Sequence, residues 1–424
     1  MIIGALDIGT TKICALIAET RPDDRELVIT GVGEVSSNGV RGGVVTDMAA
    51  VAKCIQDAAE IATQQAGRSP TNFYVSVSGE HFSSYNSRKA IAIVNHNGRI
   101  TDLDVQRVYE QSQSGPLPAD RVMVHAIPRY FRIDGQDGTH QPVGMAGQRL
   151  EIETHIVTAN AAIMQNVSSS IEQAQLRESD PVLGAIASGV SVLSEKERKN
   201  GVWLLDIGGG VTDLAIYQDS VIYHTAVIRI GGQHFTNDLA VGLTLSNEEA
   251  ERIKIKAGTV SSEMINPDEV VDIQQIGHSE KRQMKRSAVV YVLEPRAEDL
   301  FDEVQKRVSQ FFEKQSPNGN PVSPIPPSGI VMTGGGSQLT GLVEYACQFF
   351  KAQVRLGAPS PMLGLGNLLV SPRYSTAVGL IQYGYNDLVN AQEARHTSTA
   401  RVGGQPWIKR IKPMLSRFTD HFRT

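Results

Sequence analysis

The chain has 424 residues, more than the roughly 250 to 300 at which a single hydrophobic core stops growing, so it holds at least two domains. A hydrophobic share of 41% and a charged share of 20% exclude overall disorder. The formal net charge of -5 excludes a basic field over the whole surface, and we expect no nucleic-acid partner. Cys14, Cys54 and Cys347 form no CxxC pair, which argues against a disulfide framework or a structural zinc site.

The first residues, Met1 to Asp7, carry no basic leader, so we do not expect the protein to be exported. No run reaches the roughly 18 apolar residues that a membrane-spanning helix requires. We therefore expect any membrane contact to be peripheral.

A short motif occurs twice in the chain. Residues 6 to 12 read LDIGTTK, residues 205 to 213 read LDIGGGVTD, and each motif lies between two apolar, β-rich runs. Apolar run, glycine turn and β-rich run predict strand, tight turn and strand. Two copies of this unit predict two related half-molecules.

Both turns are suited to holding a phosphate, which binds best to several backbone N–H groups in one concavity. Asp7 and Asp206 end their strands where a hydrated Mg²⁺ could be held through a carboxylate and phosphate oxygens. One such turn alone would more often be a plain hairpin. Two copies, followed by a third glycine turn after the strand at 330–333, predict a nucleotide cleft. The phosphate-binding candidates are Gly9, Thr10, Thr11, Lys12, Gly208, Gly209, Gly210 and Thr212.

The segments between the motifs predict further elements of an α/β protein. Residues 44 to 66 have helical spacing, and residues 73 to 77 read as a strand. Residues 82 to 161 alternate short strands with one helix near 101 to 113, which predicts a small inserted α+β domain.

The later part of the chain predicts two helices and a linker. Ser246 and Glu249 have the spacing of a capping box, which starts a helix over 246 to 260. A second helix follows Pro295. Residues 386 to 405 are polar and poor in large apolar side chains, so we expect a flexible linker there.

The last segment, residues 406 to 424, predicts an amphipathic helix. Its large apolar side chains fall within an arc of about 120° on a helical wheel. From Arg401 onward it has six Lys or Arg against one acid, Asp420. Basic and apolar faces together favour a helix lying on an anionic membrane surface, the alternative being a helix docked on its own domain. The membrane-binding candidates are Trp407, Ile408, Lys409, Arg410, Ile411, Lys412, Leu415 and Phe418.

Pro413 interrupts this helix, since an internal proline costs about 3 kcal/mol and one hydrogen bond. We expect the helix to kink or to start there. Pro413 lies on the polar side of the wheel, so the apolar stripe is compatible with a kink.

The glycine motifs resemble those of the actin, heat-shock chaperone and sugar-kinase superfamily. DIGTTK resembles its first phosphate loop, DIGGGVTD its second, and VMTGGGSQLTGL its adenosine loop. The resemblance implies ATP between two lobes, with Asp7 and Asp206 binding Mg²⁺ through water. It further implies nucleoside contacts from Gly334, Gly335, Gly336 and Ser337.

Asp180 and Pro181 open a segment that is similar to the superfamily's crossing segment, in which an acid orients the attacking water. The resemblance gives Asp180 this catalytic role. Because it is one methylene shorter than the glutamate of the chaperones, we expect a slow ATPase at most. A helix-capping Asp before a proline at the first helical position is the alternative.

Glu251 and Lys254 resemble the superfamily's Glu-x-x-Lys pair, which contacts the nucleoside. At positions i and i+3 of the predicted helix they share one face. A solvated surface ion pair is the alternative.

The glycine loops, the inserted domain and the basic terminal helix together resemble the bacterial cell-division actins of the FtsA family. This implies a protein that binds ATP, polymerises, and anchors FtsZ filaments to the cytoplasmic face of the inner membrane at the division site. Implied partners are the FtsZ C-terminal tail, a second copy of the chain, other division proteins and anionic lipids. Arg296 is the implied contact for the FtsZ tail. The alternatives are a pilus-assembly actin of the PilM type and a soluble ATP-driven enzyme, either a sugar kinase or a chaperone.

The predicted fold class is thus α/β, an actin-like ATPase fold with duplicated lobes around a nucleotide cleft. The expected boundaries are 1–81 and 162–198 for the first core, 82–161 for the insert, 199–235 and 328–385 for the second core, 236–327 for a second small subdomain, 386–405 for the linker and 406–424 for the amphipathic helix.

Overall fold

The computed structural model describes residues 1–21, 26–94, 97–278, 280–315 and 325–398. Within these ranges, buried side chains form three separate hydrophobic cores, two in the lobes and one in an inserted domain. No helix among them is long and apolar enough to cross a bilayer.

The first lobe starts with two strands that meet at the first glycine turn. Its elements up to the insert are β1 (Ile2–Ile8), β2 (Lys12–Thr20), β3 (Leu27–Ser36), β4 (Val40–Arg41), β5 (Val44–Val45), α1 (Met48–Ala66) and β6 (Phe73–Val77). β1 pairs antiparallel with β2 and parallel with β6, which places Asp7 opposite Ser76. Both residues therefore lie at the edge where β1 and β6 end.

The inserted domain is one antiparallel sheet covered by one helix. Its elements are β7 (Ser83–Ala92), α2 (Asp102–Gln113), β8 (Arg121–Ile133), β9 (Gln136–Thr139) and β10 (Arg149–Asn160), with strand order β7-β10-β8-β9. Thr101 caps α2 in a full capping box with Asp104. A small α+β domain is therefore inserted in the first lobe, as the predicted fold class has it, and α2 lies near the helix predicted at 101 to 113.

The chain then returns to the first lobe and crosses to the second. This part contains α3 (Ala161–Gln173), β11 (Glu178–Leu183), α4 (Gly184–Val192) and α5 (Glu195–Asn200). β11 joins the first sheet beside β6, at its edge.

The second lobe repeats the plan of the first. Its elements are β12 (Val202–Ile207), β13 (Thr212–Gln218), β14 (Val221–Ile228), α6 (Gly232–Gly242), α7 (Asn247–Ala257), β15 (Val270–Ile273), β16 (Arg282–Lys285), α8 (Arg286–Gln315), β17 (Ile330–Thr333), α9 (Leu342–Phe350) and β18 (Val354–Leu356). β12 pairs antiparallel with β13 and parallel with β17, which places Asp206 opposite Thr333. The predicted duplication is confirmed, because Asp7 and Asp206 occupy equivalent positions in the two sheets.

The end of the described chain comes back to the first lobe. β19 (Leu363–Gly364) pairs with β3, and α10 (Ser375–Ser398) packs on β1 and α4. α4 and α10 cross so closely that a Cβ on Gly379 would lie 1.8 Å from the carbonyl oxygen of Ala187. The assignment of 328–385 to the second core alone is therefore wrong from β19 onward.

Two further expectations need correction. The helix predicted after Pro295 starts at Arg286, so Pro295 lies inside α8, where it removes one amide donor but not the continuous buried face. The linker predicted over 386–405 is helical up to Ser398 as part of α10. Tyr74 holds that helix by donating a hydrogen bond of 2.7 Å to Asp387. Residues 399–405 and the predicted helix at 406–424 lie outside the described residues.

Candidate nucleotide cleft

A cavity of about 650 Å³ lies between the lobes, within the size range of small-ligand sites. Both repeated motifs and the third glycine turn line it, although they are about 120 to 325 residues apart in sequence. The cavity therefore brings together the three glycine turns that were predicted to bind a nucleotide.

The two repeated turns close in the same way and face each other. Gly9 N donates to Lys12 O at 3.0 Å, and Gly208 N donates to Val211 O at 2.9 Å. A Cβ on Gly210 would lie 2.5 Å from Thr10 Oγ1, so no larger residue fits without a shift. The threonine side chains of the first turn approach Gly209 and Gly210 so closely that these positions favour glycine.

Four amides in these turns suit an anion. Within the described part of the chain, the backbone N–H groups of Thr10, Thr11, Gly209 and Gly210 have no intramolecular acceptor. Thr10 and Gly210 are buried and Gly209 is half-buried, so their unpaired N–H groups are costly, and a phosphate would satisfy them.

Thr212 was predicted to join this phosphate site, and this expectation is wrong. It is fully buried, does not line the cavity, and donates its hydroxyl to Ile230 O at 2.7 Å. As the first residue of β13 it faces the interior of the second lobe.

The third turn follows β17 and bends over the second motif. Gly334 has a φ of +83°, a conformation that favours glycine, and a Cβ on Gly336 would lie 2.6 Å from Ile207 Cγ2. Gly334, Gly335 and Gly336 all line the cavity. Ser337 does not: it is buried and donates to Gly334 O at 2.7 Å, so it stabilises the turn instead.

The predicted magnesium residues lie on opposite sides of the cavity. Asp7 accepts hydrogen bonds from Ser76 at 2.7 Å and from Lys12 at 3.2 Å. Asp206 accepts one from Thr376 at 2.9 Å, and burial raises its pKa to about 6. Burial explains this shift, because it disfavours the charged carboxylate.

A third carboxylate, Asp213, also lines the cavity and was missed in the sequence. Ser78 of the first lobe donates hydrogen bonds of 2.6 and 2.7 Å to its two oxygens. Burial, and then the neighbouring Asp206, raise the pKa of Asp213 to about 8. A second acid within the glycine motif DIGGGVTD was the available sequence signal.

Asp180, the predicted catalytic acid, is not brought to the cavity. It is exposed in β11, whereas the cavity is lined four residues later by Gly184, the first residue of α4. The alternative is wrong as well, because Leu183 occupies the cap position of α4. The resemblance of residues 180–189 to the crossing segment suggested that Asp180 lies at the cleft. In the structure β11 continues past Pro181 to Leu183, so the chain reaches the cleft only at Gly184.

Glu251 and Lys254 do line the cavity, from α7. Lys254 Nζ donates to Glu251 at 2.7 Å, to Thr236 Oγ1 at 2.8 Å and to Gly232 O at 3.0 Å. These bonds hold the pair to the start of α6, so the alternative of a solvated surface pair is wrong. Ile255, exposed on the same helix, adds an apolar wall that the sequence analysis missed.

The cavity fits a nucleotide with a hydrated cation. The unpaired amides suit phosphates, and an exposed apolar side chain suits a base. The lining has four carboxylates and three cationic side chains, so its acids outnumber its bases; they are Asp7, Asp206, Asp213 and Glu251 against Lys12, Lys254 and Arg373. Among the described residues no three His, Cys, Asp or Glu side chains are grouped to bind a metal directly.

Two groups of predicted site residues lie away from the cavity. The membrane-binding candidates from Trp407 to Phe418 fall outside the described residues. Arg296, on α8, makes two hydrogen bonds to Asp238 of α6 and one to Asp299. Its side chain thus already has two acidic partners.

Comparisons with known proteins agree with this architecture. The family described as "Cell division protein FtsA" matches residues 203–379, and "SHS2 domain inserted in FTSA" matches residues 79–158. A "Cell division protein FtsA" from Pseudomonas aeruginosa is 37% identical over 384 residues, covering 91% of this chain and 89% of the relative. The chain belongs to the FtsA family of cell division proteins.

Other FtsA proteins match over nearly their full length. The one from Escherichia coli K12 is 34% identical and covers 98% of both chains, and the one from Neisseria meningitidis is 36% identical and covers 97% of both. The inserted domain, which the FtsA family model leaves outside its match, corresponds to the SHS2 domain.

Solved structures support the actin-like fold. A PilM–PilN type IV pilus biogenesis complex matches with a TM-score of 0.62 at 15% identity, covering 90% of this chain and 98% of that one. MreB 5 of Spiroplasma citri bound to AMPPNP matches with a TM-score of 0.52 at 15% identity, covering 93% and 98%. These identities show the fold alone, so the PilM alternative gives way to the FtsA relatives.

Proposed function

We propose that this FtsA-family protein binds ATP with Mg²⁺ in the interlobe cleft. The observation that carries the proposal is the pair of phosphate turns facing each other, with four backbone amides that have no acceptor among the described residues. Lys12 and the amides of both turns would contact the phosphates. Gly334, Gly335 and Gly336 would face the nucleoside, together with Glu251 and Lys254.

Hydrolysis in this site would be slow at most. Mg²⁺ supplies positive charge to the phosphates, and Asp7 and Asp206 would hold its water shell. Asp213, fixed by Ser78, is the acid positioned to orient a water molecule. Asp213 would be a weak base for that step, because its carboxyl group would first have to lose its proton or its hydrogen bond from Ser78.

Gly335→Asp tests the nucleotide site without crowding the fold. A Cβ at Gly335 meets only Arg373 Cβ, at 3.8 Å, so a side chain fits there. A new carboxylate in the nucleoside region should reduce ATP affinity at least about tenfold by repulsion and blocked space. Isothermal titration calorimetry with MgATP measures this.

Gly335→Ala is the matched control, since it adds the Cβ without the charge. It should bind MgATP within a few-fold of the wild-type protein. Wild-type affinity in Gly335→Asp would contradict the assigned site.

We further propose that the protein polymerises and anchors FtsZ filaments to the cytoplasmic face of the inner membrane at the division site, in contact with other division proteins. Support for membrane binding comes from the basic, amphipathic segment 406–424. Its apolar residues, from Trp407 to Phe418, would enter the interface, and its Lys and Arg side chains would contact anionic lipids.

The FtsZ tail would bind on the surface formed by α6 and α8. Val241 is 83% exposed on α6 and Tyr291 is 82% exposed on α8, and the two helices pack through Gly242 and Val292. Exposed apolar side chains beside Arg296 suit a peptide with apolar and acidic residues. Arg296 would also act indirectly, because its bonds to Asp238 hold α6 to α8.

A further inference from the structure

A row of contacts joins the inserted domain to the second lobe. In the chain the insert belongs to the first lobe, since it lies between β6 and α3, yet its sheet packs against β14. We call this row the seam. Its residues are Ser84 and Asn86 on β7, Arg129 on β8, His155 on β10, and Tyr223, His224 and Thr225 on β14.

Side chains of β7 reach the backbone of β14 at two points. Ser84 Oγ donates to Thr225 O at 2.7 Å, and Asn86 Nδ2 donates to Tyr223 O at 3.3 Å. From the first contact to the second, the residue number rises by two on β7 and falls by two on β14. The two strands therefore lie side by side in opposite directions.

A buried histidine fixes the same contact from β10. His155 is fully buried, with Nε2 3.0 Å from Thr225 Oγ1 and Nδ1 2.8 Å from Asn86 Oδ1. Separation of the two strands would remove a hydrogen-bond partner from a buried polar group, which is costly unless water replaces it.

A buried arginine on β8 also contacts β14. Arg129 is 2% exposed, pairs with Glu153 of its own sheet, and places its guanidinium carbon 3.8 Å from the ring centre of Tyr223. A guanidinium over an aromatic face is attracted by the electrons of the ring. The guanidinium of Arg129 thus contacts both Glu153 of the inserted domain and Tyr223 of the second lobe.

The seam leads directly into the nucleotide cleft. Toward the cleft from Ser84, Glu80 pairs with Arg229, and then Ser78 donates to Asp213. The Glu80–Arg229 pair continues the antiparallel order of the contacts between β7 and β14, whereas Ser78 reaches the neighbouring strand β13. The strand that carries the seam also pairs with β13, where Val227 lies opposite Asp213.

β14 ends beneath the second phosphate turn. The chain passes from β14 to Gly231, where a Cβ would lie 2.8 Å from the carbonyl oxygens of Gly208 and Gly209. Gly232 N donates to Gly208 O at 2.9 Å. A displacement of β14 relative to the first lobe is therefore transmitted to the phosphate site by short backbone contacts.

We propose that the inserted domain is a strap across the two lobes, so that docking of its sheet on β14 and nucleotide binding in the cleft favour each other. The proposal rests on the ATP binding proposed above. Because thermodynamic coupling is reciprocal, a weaker seam lowers ATP affinity, and bound ATP slows opening of the seam.

The test compares ATP affinities of variants by calorimetry. Arg129→Met removes the guanidinium on Tyr223, and Ser84→Ala removes the hydrogen bond to Thr225. Their combination should lower MgATP affinity by about fivefold or more, the lower limit of typical coupling between sites. Hydrogen exchange in residues 83–92 of the wild-type protein should slow when MgATP is added.

The matched controls are residues of β7 whose partners lie within the inserted domain. Arg88 pairs with Glu151 of its own sheet, and Ser87 donates to Ser112 O of α2. Arg88→Met and Ser87→Ala should leave ATP affinity within twofold of wild type. If Arg129→Met proves unfolded by circular dichroism, Ser84→Ala against Ser87→Ala decides the result.

The two proposals fail in different ways. Wild-type protein that does not bind MgATP would overturn the nucleotide proposal. Wild-type protein that binds MgATP with the same affinity as the seam variants, and with unchanged exchange at 83–92, would overturn the strap.

Discussion

Some of the residues that the sequence motifs predicted as site residues line the cleft, and others do not. Asp7, Asp206 and the glycines of both repeats lie at the cavity as their spacing predicts. Asp180 does not, because the last three residues of β11 separate it from Gly184, the residue that lines the cleft. The motif fixes a short run of backbone, whereas a side chain several residues away depends on where the strand ends.

His155 makes a prediction about pH. Burial, and then the charges of His224, Arg129 and His125, hold the pKa of His155 well below its usual value. As the pH falls through about 6.5, His155 is therefore protonated in the unfolded chain but stays neutral in the folded protein. The stability that is present above this pH is lost as the pH falls further.

We expect the urea midpoint of the wild-type protein to fall between pH 7.5 and 5.5, and that of His155→Gln to fall less steeply. Circular dichroism at both pH values measures it. His140→Gln, at an exposed position, is the control and should follow the wild-type slope. Equal slopes for His155→Gln and the wild-type protein would contradict the prediction.

Whole elements were predicted well where their pattern is local. β6 has the predicted bounds, α2 falls near 101 to 113, and Ser246 caps α7 by accepting from Glu249 N at 3.2 Å. α8 starts earlier than predicted, and α10 extends into the segment predicted as a linker, because contacts with other elements outweigh the local signals of Pro295 and of the polar residues after 385. Tertiary packing commonly overrides such propensities.

The crossing of α4 and α10 predicts the effect of one added methyl group. Gly379→Ala places a Cβ 1.8 Å from Ala187 O, which neither backbone can accept without moving. We expect a loss of about 1 to 3 kcal/mol, the usual cost of overpacking. Thermal unfolding followed by circular dichroism measures it.

Gly115→Ala is the matched control, since its Cβ would meet only Tyr85 Oη, at 3.9 Å. Its midpoint should stay near that of the wild-type protein. An unchanged midpoint in Gly379→Ala would show that the two helices do not pack this closely.

At the scale of the whole molecule, the proposed membrane segment at 406–424 and the proposed partner surface on α6 and α8 can be tested separately. With liposomes containing anionic lipid, MgATP and FtsZ, the wild-type protein should sediment and carry FtsZ with it. Deletion of 406–424 should abolish both by removing the basic amphipathic segment. Val241→Asp should keep membrane binding and lose most FtsZ recruitment, because it puts a charge on the apolar surface.

Val94→Asp is the control for this experiment, as Val94 is an exposed valine of the inserted domain. It should recruit FtsZ as the wild-type protein does. Sedimentation that survives deletion of the tail would refute the membrane proposal, and recruitment that survives Val241→Asp would refute the surface on α6 and α8.

The sequence by itself determined the two glycine motifs, the duplication and the inserted domain, because turns and strand periodicity depend on neighbours within a few residues. Only the tertiary structure decided that Ser78 holds Asp213, 135 residues away, that α10 returns to the first lobe, and that the inserted sheet lies on β14. These pairings depend on how the sheets pack against the crossing helices, and no local pattern records which distant side chains that packing brings within hydrogen-bond distance.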